Sequence, residues 1–182
     1  MSTLRVDNIT GRLDDTTINQ PISFSANTAT LNSGVLFPAG HIIQVSNLAT
    51  TTTAVTLTGT WAAIGLSQSI TPISSSSKIL IQCQIAMQQY RETHPETFGG
   101  IKLLRGSTDI FMGTRYESVM EAGLSSGSRT FLSSMNPVLY VDTGHTAGSS
   151  NTYTIHGRAA AGQCTYQTNS TVSSMLLMEI QT

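Results

Sequence analysis

Lys78 to Asp109 reads KILIQCQIAMQQYRETHPETFGGIKLLRGSTD, and the pattern in this stretch decides the fold. Ile79, Ile81, Cys83, Ile85 and Met87 alternate with more polar neighbours, the period of an extended strand whose successive side chains point to opposite faces. The spacing predicts a core strand. After the polar RETHPET, Ile101, Leu103 and Leu104 lead into Arg105-Gly106-Ser107, the Gly/Ser punctuation of a tight connection. The two runs are expected to lie as neighbouring antiparallel strands. Burying five apolar side chains at roughly 1.5–3 kcal/mol each gives the first strand on the order of 10 kcal/mol before conformational entropy is subtracted.

Outward from this pair the signals stay those of strands. Ile43 and Val45 begin one, the Thr-rich stretch after Ala49 is strand-prone through its β-branched residues, and Trp61, Ile64 and Leu66 precede a turn at Thr71-Pro72. Ser74 to Ser77 is a loop by composition. Ile110 to Met112 and Tyr116 to Met120 are expected as separate short strands divided by Gly113. Phe131, Met135, Val138 and Leu139 mark one or two more, with Asn136-Pro137 indicating an edge or a corner. Tyr153 and Ile155 alternate against Thr154, His156 and Arg158, which places the polar trio on the opposite face. Val172 to Ile180 closes the chain as an apolar strand. The expected fold is all-β, an antiparallel sandwich of jelly-roll type occupying residues 41–182. Residues 1–40 differ in character: Leu4 and Val6, then Ile18, Ile22 and Phe24, suggest short strands without a core, an extended N-terminal attachment arm and linker.

With 182 residues, one core is the expectation. Charged residues make up 10% of the chain, well below the roughly 25% of an average soluble protein, so the surface is rich in hydroxyls. A net charge of -1 offers no basic footprint for nucleic acid and no polybasic segment for lipid. No apolar run approaches the length of a membrane span, and MSTLRVDNIT lacks the apolar core of a secretory signal. A soluble, unprocessed protein without membrane insertion is expected. Cys83 and Cys164 both fall in strand-like alternations, where a buried thiol is the ordinary state; a bridge between them stays open if their strands are neighbours.

One catalytic pattern matches. Gly123-Leu124-Ser125-Ser126-Gly127 satisfies GxSxG, and Asp142 followed by His145 or His156 gives the order of an α/β-hydrolase triad. A nucleophile elbow needs a strand before the Ser and a helix after it, whereas Ser125 sits in loop composition, so the match is assigned to chance. His41, His94, His145 and His156 lack ligand spacing, and neither Cys is in a CxxC pair. Glu92 and Glu96 are expected on a loop as solvated charges, and Asp14-Asp15 lack calcium-loop spacing. No catalytic, metal or cofactor-binding residue is assigned, and no cofactor is expected.

The segments WAAIGLSQSITPISSSSKILIQCQI, GGIKLLRGSTDI, NTYTIHGRAAAG and SMLLMEIQT, with the opening MSTLRVDNITG, resemble the C-terminal β-domain of tail-fibre-like and other virion structural proteins of marine and cyanobacterial bacteriophages. That resemblance implies a non-enzymatic virion component whose head is similar to the trimeric heads of tumour-necrosis-factor-like proteins. It implies a homotrimer that attaches to other virion proteins of tail or capsid through the arm and possesses a head able to bind a host-surface glycan. The loops Arg91 to Thr97 and Gly144 to Ser150 are expected as outward tips, with Tyr90, Arg91, His94 and His145 as contacts. Three alternatives stay open: a capsid decoration protein, a carbohydrate-binding module and, remotely, a serine esterase.

Overall fold

The computed structural model describes residues 22–25, 28–31, 38–91, 96–120 and 130–182. The chain divides into two compact units, Met1–Phe37 and Pro38–Thr182. In the first, β1 (Ile22–Ser25) pairs antiparallel with β2 (Thr28–Leu31), with Ile22 opposite Leu31 and Phe24 opposite Ala29. Leu4, Val6 and Ile18 lie outside the described residues.

The second unit contains β3 (Ile42–Val45), β4 (Ala49–Thr51), β5 (Val55–Leu57), β6 (Ala62–Ile70), β7 (Lys78–Arg91) and β8 (Glu96–Arg105). It continues with β9 (Thr108–Met120), β10 (Thr130–Asp142), β11 (Asn151–Ala161), β12 (Gln163–Tyr166) and β13 (Ser173–Ile180). The predicted core strand, β7, is the middle of the larger sheet. β10 pairs along one of its edges from Ile79 to Arg91, while β13 and β12 lie end to end on the other. β3 and β4 continue the sheet beyond β13, and β5 continues it beyond β12. The smaller sheet runs β6-β11-β8-β9. Every pairing is antiparallel, and the chain passes repeatedly from one sheet to the other, as in a jelly-roll-like sandwich.

Two expectations need correction. β7 and β8 are not paired neighbours; they belong to opposite sheets, and the two apolar runs face each other across the core. Alternation fixes which side chains turn inward but not which strand supplies the hydrogen bonds. The two short strands around Gly113 are one strand, β9, which absorbs extra residues as a bulge where Gly99 pairs Glu117 and Ile101 pairs Gly113. The edge expected at Asn136-Pro137 is found: β10 is a single strand in which Pro137 lies opposite Gln84. β10 pairs only with β7 among the described residues, and an edge strand tolerates a residue that cannot donate.

The core follows the predicted periods. Ile79, Ile81, Cys83, Ile85 and Met87 meet Ile64, Leu66, Ile101, Leu103, Tyr153 and Ile155 from the other sheet, all buried. Tyr166 of β12 reaches across the sandwich, and its hydroxyl donates to the Gly100 carbonyl of β8 at 2.6 Å. Gly157 of β11 makes room for that ring, since a Cβ there would overlap it. Cys83 and Cys164 are buried and unbridged, and burial pushes the Cys83 thiol up to about 12.

Candidate functional site

Every second residue of β13 faces the core: Ser173, Met175, Leu177 and then Glu179. The same parity on β10 turns Val138 and Asp142 inward. Asp142, Ile79, Glu179 and Gln44 are successive cross-strand partners in one inward row, so two carboxylates are buried on either side of an isoleucine near one end of the sandwich. A buried carboxylate has to be matched by donors, and the loops at this end supply them.

Asp142 is 3% exposed. Arg105 Nη1 donates to its two oxygens at 2.5 and 2.7 Å, the Tyr153 hydroxyl donates at 2.8 Å, and the Gly144 amide donates at 2.9 Å. Burial alone would raise the pKa of Asp142. Its hydrogen bonds with Arg105, Gly144 and Tyr153, together with the Arg105 charge, outweigh burial and hold the carboxyl below its usual range.

Glu179 has no exposure. It accepts from the amides of Ile73 and Ser74 at 3.0 Å, from the Ser77 hydroxyl at 2.6 Å and from Gln44 Nε2 at 2.6 Å. Here too burial works to raise the pKa and the donors, led by Ser77, bring it below the ordinary Glu value. The carboxylate thus gathers the loop 71–77 onto β13.

The loop 143–150 is tied to the same cluster. His145 Nε2 lies 3.1 Å from the Ser74 carbonyl and 3.3 Å from Ser77 Oγ, and the Gly148 amide donates to the Pro72 carbonyl at 2.8 Å. Asn151 closes the loop from within: its Oδ1 accepts from the Thr146 amide, and its Nδ2 donates to the carbonyls of Thr146 and Ser149. The result is a pair of loops fixed by internal hydrogen bonds, with Thr146, Gly148, Ser149, Ser150 and the large apolar Ile73 left exposed. Apart from Ile73 these are small neutral groups that offer backbone and hydroxyl hydrogen bonds.

The residues singled out from sequence are dispersed. His145 is half buried and turned into the loop pair, so the exposed part of that tip lies just after it. Tyr90 is half buried near the end of β7, and Arg91 is the last residue of that strand. His94, Glu92 and Ser125 lie outside the described residues, and Glu96 begins β8 rather than sitting in a loop. For the hydrolase-like set, Asp142 is held by Arg105 and Tyr153. In the chain of contacts from Glu179 to Ser77 to His145 the hydroxyl is in the middle, whereas a catalytic triad places the imidazole there. No group of three or more potential metal ligands occurs among the described residues.

His156 belongs to the outer face of the smaller sheet. There Trp61 is flanked by Arg158 at 4.8 Å and Lys102 at 5.4 Å from its ring centre, and Lys102 pairs with Asp109 at 2.9 Å. Burial and the Lys102 charge, opposed by Asp109, lower the pKa of His156. Glu179, Ser77, Gln44 and Arg105 were missed as members of a site. For Glu179 a signal existed, an acidic residue at a core parity in SMLLMEI; its donors come from distant turns and leave no local pattern.

No protein family and no curated protein matches the chain. Among solved structures it is similar to the infectious bursal disease virus VP2 subviral particle protein, with 12% identity and a TM-score of 0.38 over 90% of this chain and 37% of that one. A structure of T=1 particles derived from infectious bursal virus gives 10% identity and a TM-score of 0.25 over 90% and 41%. The Gx strain of the same virus gives 13% and 0.20 over 90% and 47%. The chain spans less than half of each of these proteins, and a likeness at this level assigns no role to it.

Proposed function

We propose that this chain is a structural protein of a bacteriophage virion, attached through residues 1–40 and presenting the sandwich as a head, with no catalytic role. The observation that supports this reading most is the use made of the two buried carboxylates. Asp142 and Glu179 are the described groups best placed for acid–base work, and both are saturated by donors that fix strands and loops. The product of that arrangement is a rigid, uncharged loop tip. A tip of that kind suits recognition of a neutral, hydroxyl-bearing surface such as a host glycan. The resemblance of the strand and turn segments to phage tail-fibre-like proteins adds the location, a short tail appendage, and a head that associates with copies of itself.

The test is deletion of residues 1–34 followed by quantification of the protein in assembled particles. The expected result is a head that still melts cooperatively and is no longer incorporated. Undiminished incorporation would refute the attachment role, and loss of cooperative melting would place the arm in the core. Particle imaging then separates tail from shell, and density on the shell would favour capsid decoration.

A further inference from the structure

The two outer faces of the sandwich differ in kind. The smaller sheet shows Trp61, Lys102, Asp109, His156 and Arg158, with Met112 exposed beside Lys102, a mostly polar and charged face. The larger sheet shows hydrocarbon. Val141, Leu80, Met178 and Val45 are successive cross-strand partners on β10, β7, β13 and β3, forming one unbroken apolar row on the side opposite the core. The adjacent row is Leu139, Gln82 and Leu176. Leu139 is 69% exposed, Val45 53% and Val141 47%.

We propose that this outer face of the larger sheet, centred on the rows of Val141-Leu80-Met178-Val45 and Leu139-Gln82-Leu176, is the contact through which copies of this chain associate. The proposal deepens the assembly role given above and rests on it.

Three observations favour a second copy as the occupant. The first is size. The exposed apolar area is on the order of 500 Å², at the upper end of the largest patches of monomers. Two copies in contact through it would bury about 1,000 Å² from these side chains alone, the level a specific interface clears. The second is charge. Neither row contains an ionised residue, so like faces approach without repulsion. Their one polar member, Gln82, and its neighbour Gln84 both donate and accept, which makes them complementary to themselves. Lys78, opposite Ile180 in the next row, places a charge at the rim of the patch rather than within it. The third is the edge. Pro137 lies midway along β10 and cannot donate, which disfavours continuous strand addition there and leaves face-to-face packing as the available mode.

The experiment uses the full-length chain and reads its mass by sedimentation and light scattering across a dilution series. Wild type is expected as a homo-oligomer. Leu139→Lys with Val141→Lys should give a monomer that keeps a β-sheet spectrum and a cooperative melt. Thr152→Lys, which places a lysine on the smaller sheet instead, should stay assembled. Leu139→Ser leaves the exposed site uncharged and guards against misfolding of the double variant. It is expected to raise the dissociation constant about tenfold or more. A monomeric wild type would overturn the proposal. An assembled Leu139→Ser variant with an unchanged dissociation constant would also overturn it. Either failure leaves the virion role to be judged by incorporation into particles, which is measured separately.

Discussion

Replacing Glu179 by Gln removes one charge from the loop end of the head and changes little in shape. The carboxylate accepts from two backbone amides, one hydroxyl and one side-chain amide. A glutamine keeps one acceptor oxygen and turns an NH₂ toward groups that are themselves donors. Hydrogen bonds to a charged group contribute about 1.5–3 kcal/mol each, and a buried donor left unmatched costs about 1–3 kcal/mol. Losing one good bond and stranding one donor therefore destabilises the head by about 2.5–6 kcal/mol, a fall in Tm on the order of 10–20 °C for a domain of this size. The assay is denaturant unfolding of wild type and Glu179→Gln between pH 7 and pH 3, with hydrogen exchange on the loop 71–77. Because the folded pKa of Glu179 lies below its unfolded value, its contribution is complete above the unfolded pKa of about 4.3 and is lost as pH falls through the folded one. The gap between the two proteins should be widest at neutral pH and shrink in acid, with the Ile73 and Ser74 amides exchanging faster in the variant. Equal stability at pH 7, or a gap that does not change with pH, would refute the role assigned to the carboxylate.

Gly157→Ala should destabilise the head by about 1–3 kcal/mol through displacement of the Tyr166 ring. Tyr166→Phe, which loses the bond to the Gly100 carbonyl, should cost about 1 kcal/mol; denaturant midpoints at a common slope measure both. A thiol reagent should find neither Cys83 nor Cys164 reactive in the native protein and both reactive after denaturation, since the thiols are buried and unbridged. Mass spectrometry of the labelled chain counts them.

Much of the head was legible because burial has a period. The inward set Ile79 to Met87, the turn after Arg105 and the split of Tyr153 and Ile155 from His156 and Arg158 were all readable two residues at a time, and all are found. What was not legible depends on pairing. Nothing in Lys78–Asp109 says that its two apolar runs belong to different sheets, because both would bury the same faces in either arrangement. Gly113 looked like a break because its local preference opposes a strand, and the sheet accommodates it with a bulge; Pro137 pointed to an edge, and β10 pairs on one side only among the described residues. The second half of the small hairpin, TATL, carries too little hydrocarbon to show an alternation. At the loop end His145 was visible as a residue type, but its orientation is fixed by Ser74 and Ser77, some seventy residues earlier. The outer apolar row was hidden as well. Leu80, Val141, Met178 and Val45 stand on four strands, and only the register brings them into line.

The central claim, that the chain is a building part of a virus particle, is tested most directly by its abundance in particles. Gradient-purified particles of the proposed parent virus should contain this chain at a fixed ratio to the major capsid protein, retained through a salt wash. Abundant protein in the infected-cell lysate with none in the particle band would contradict the account.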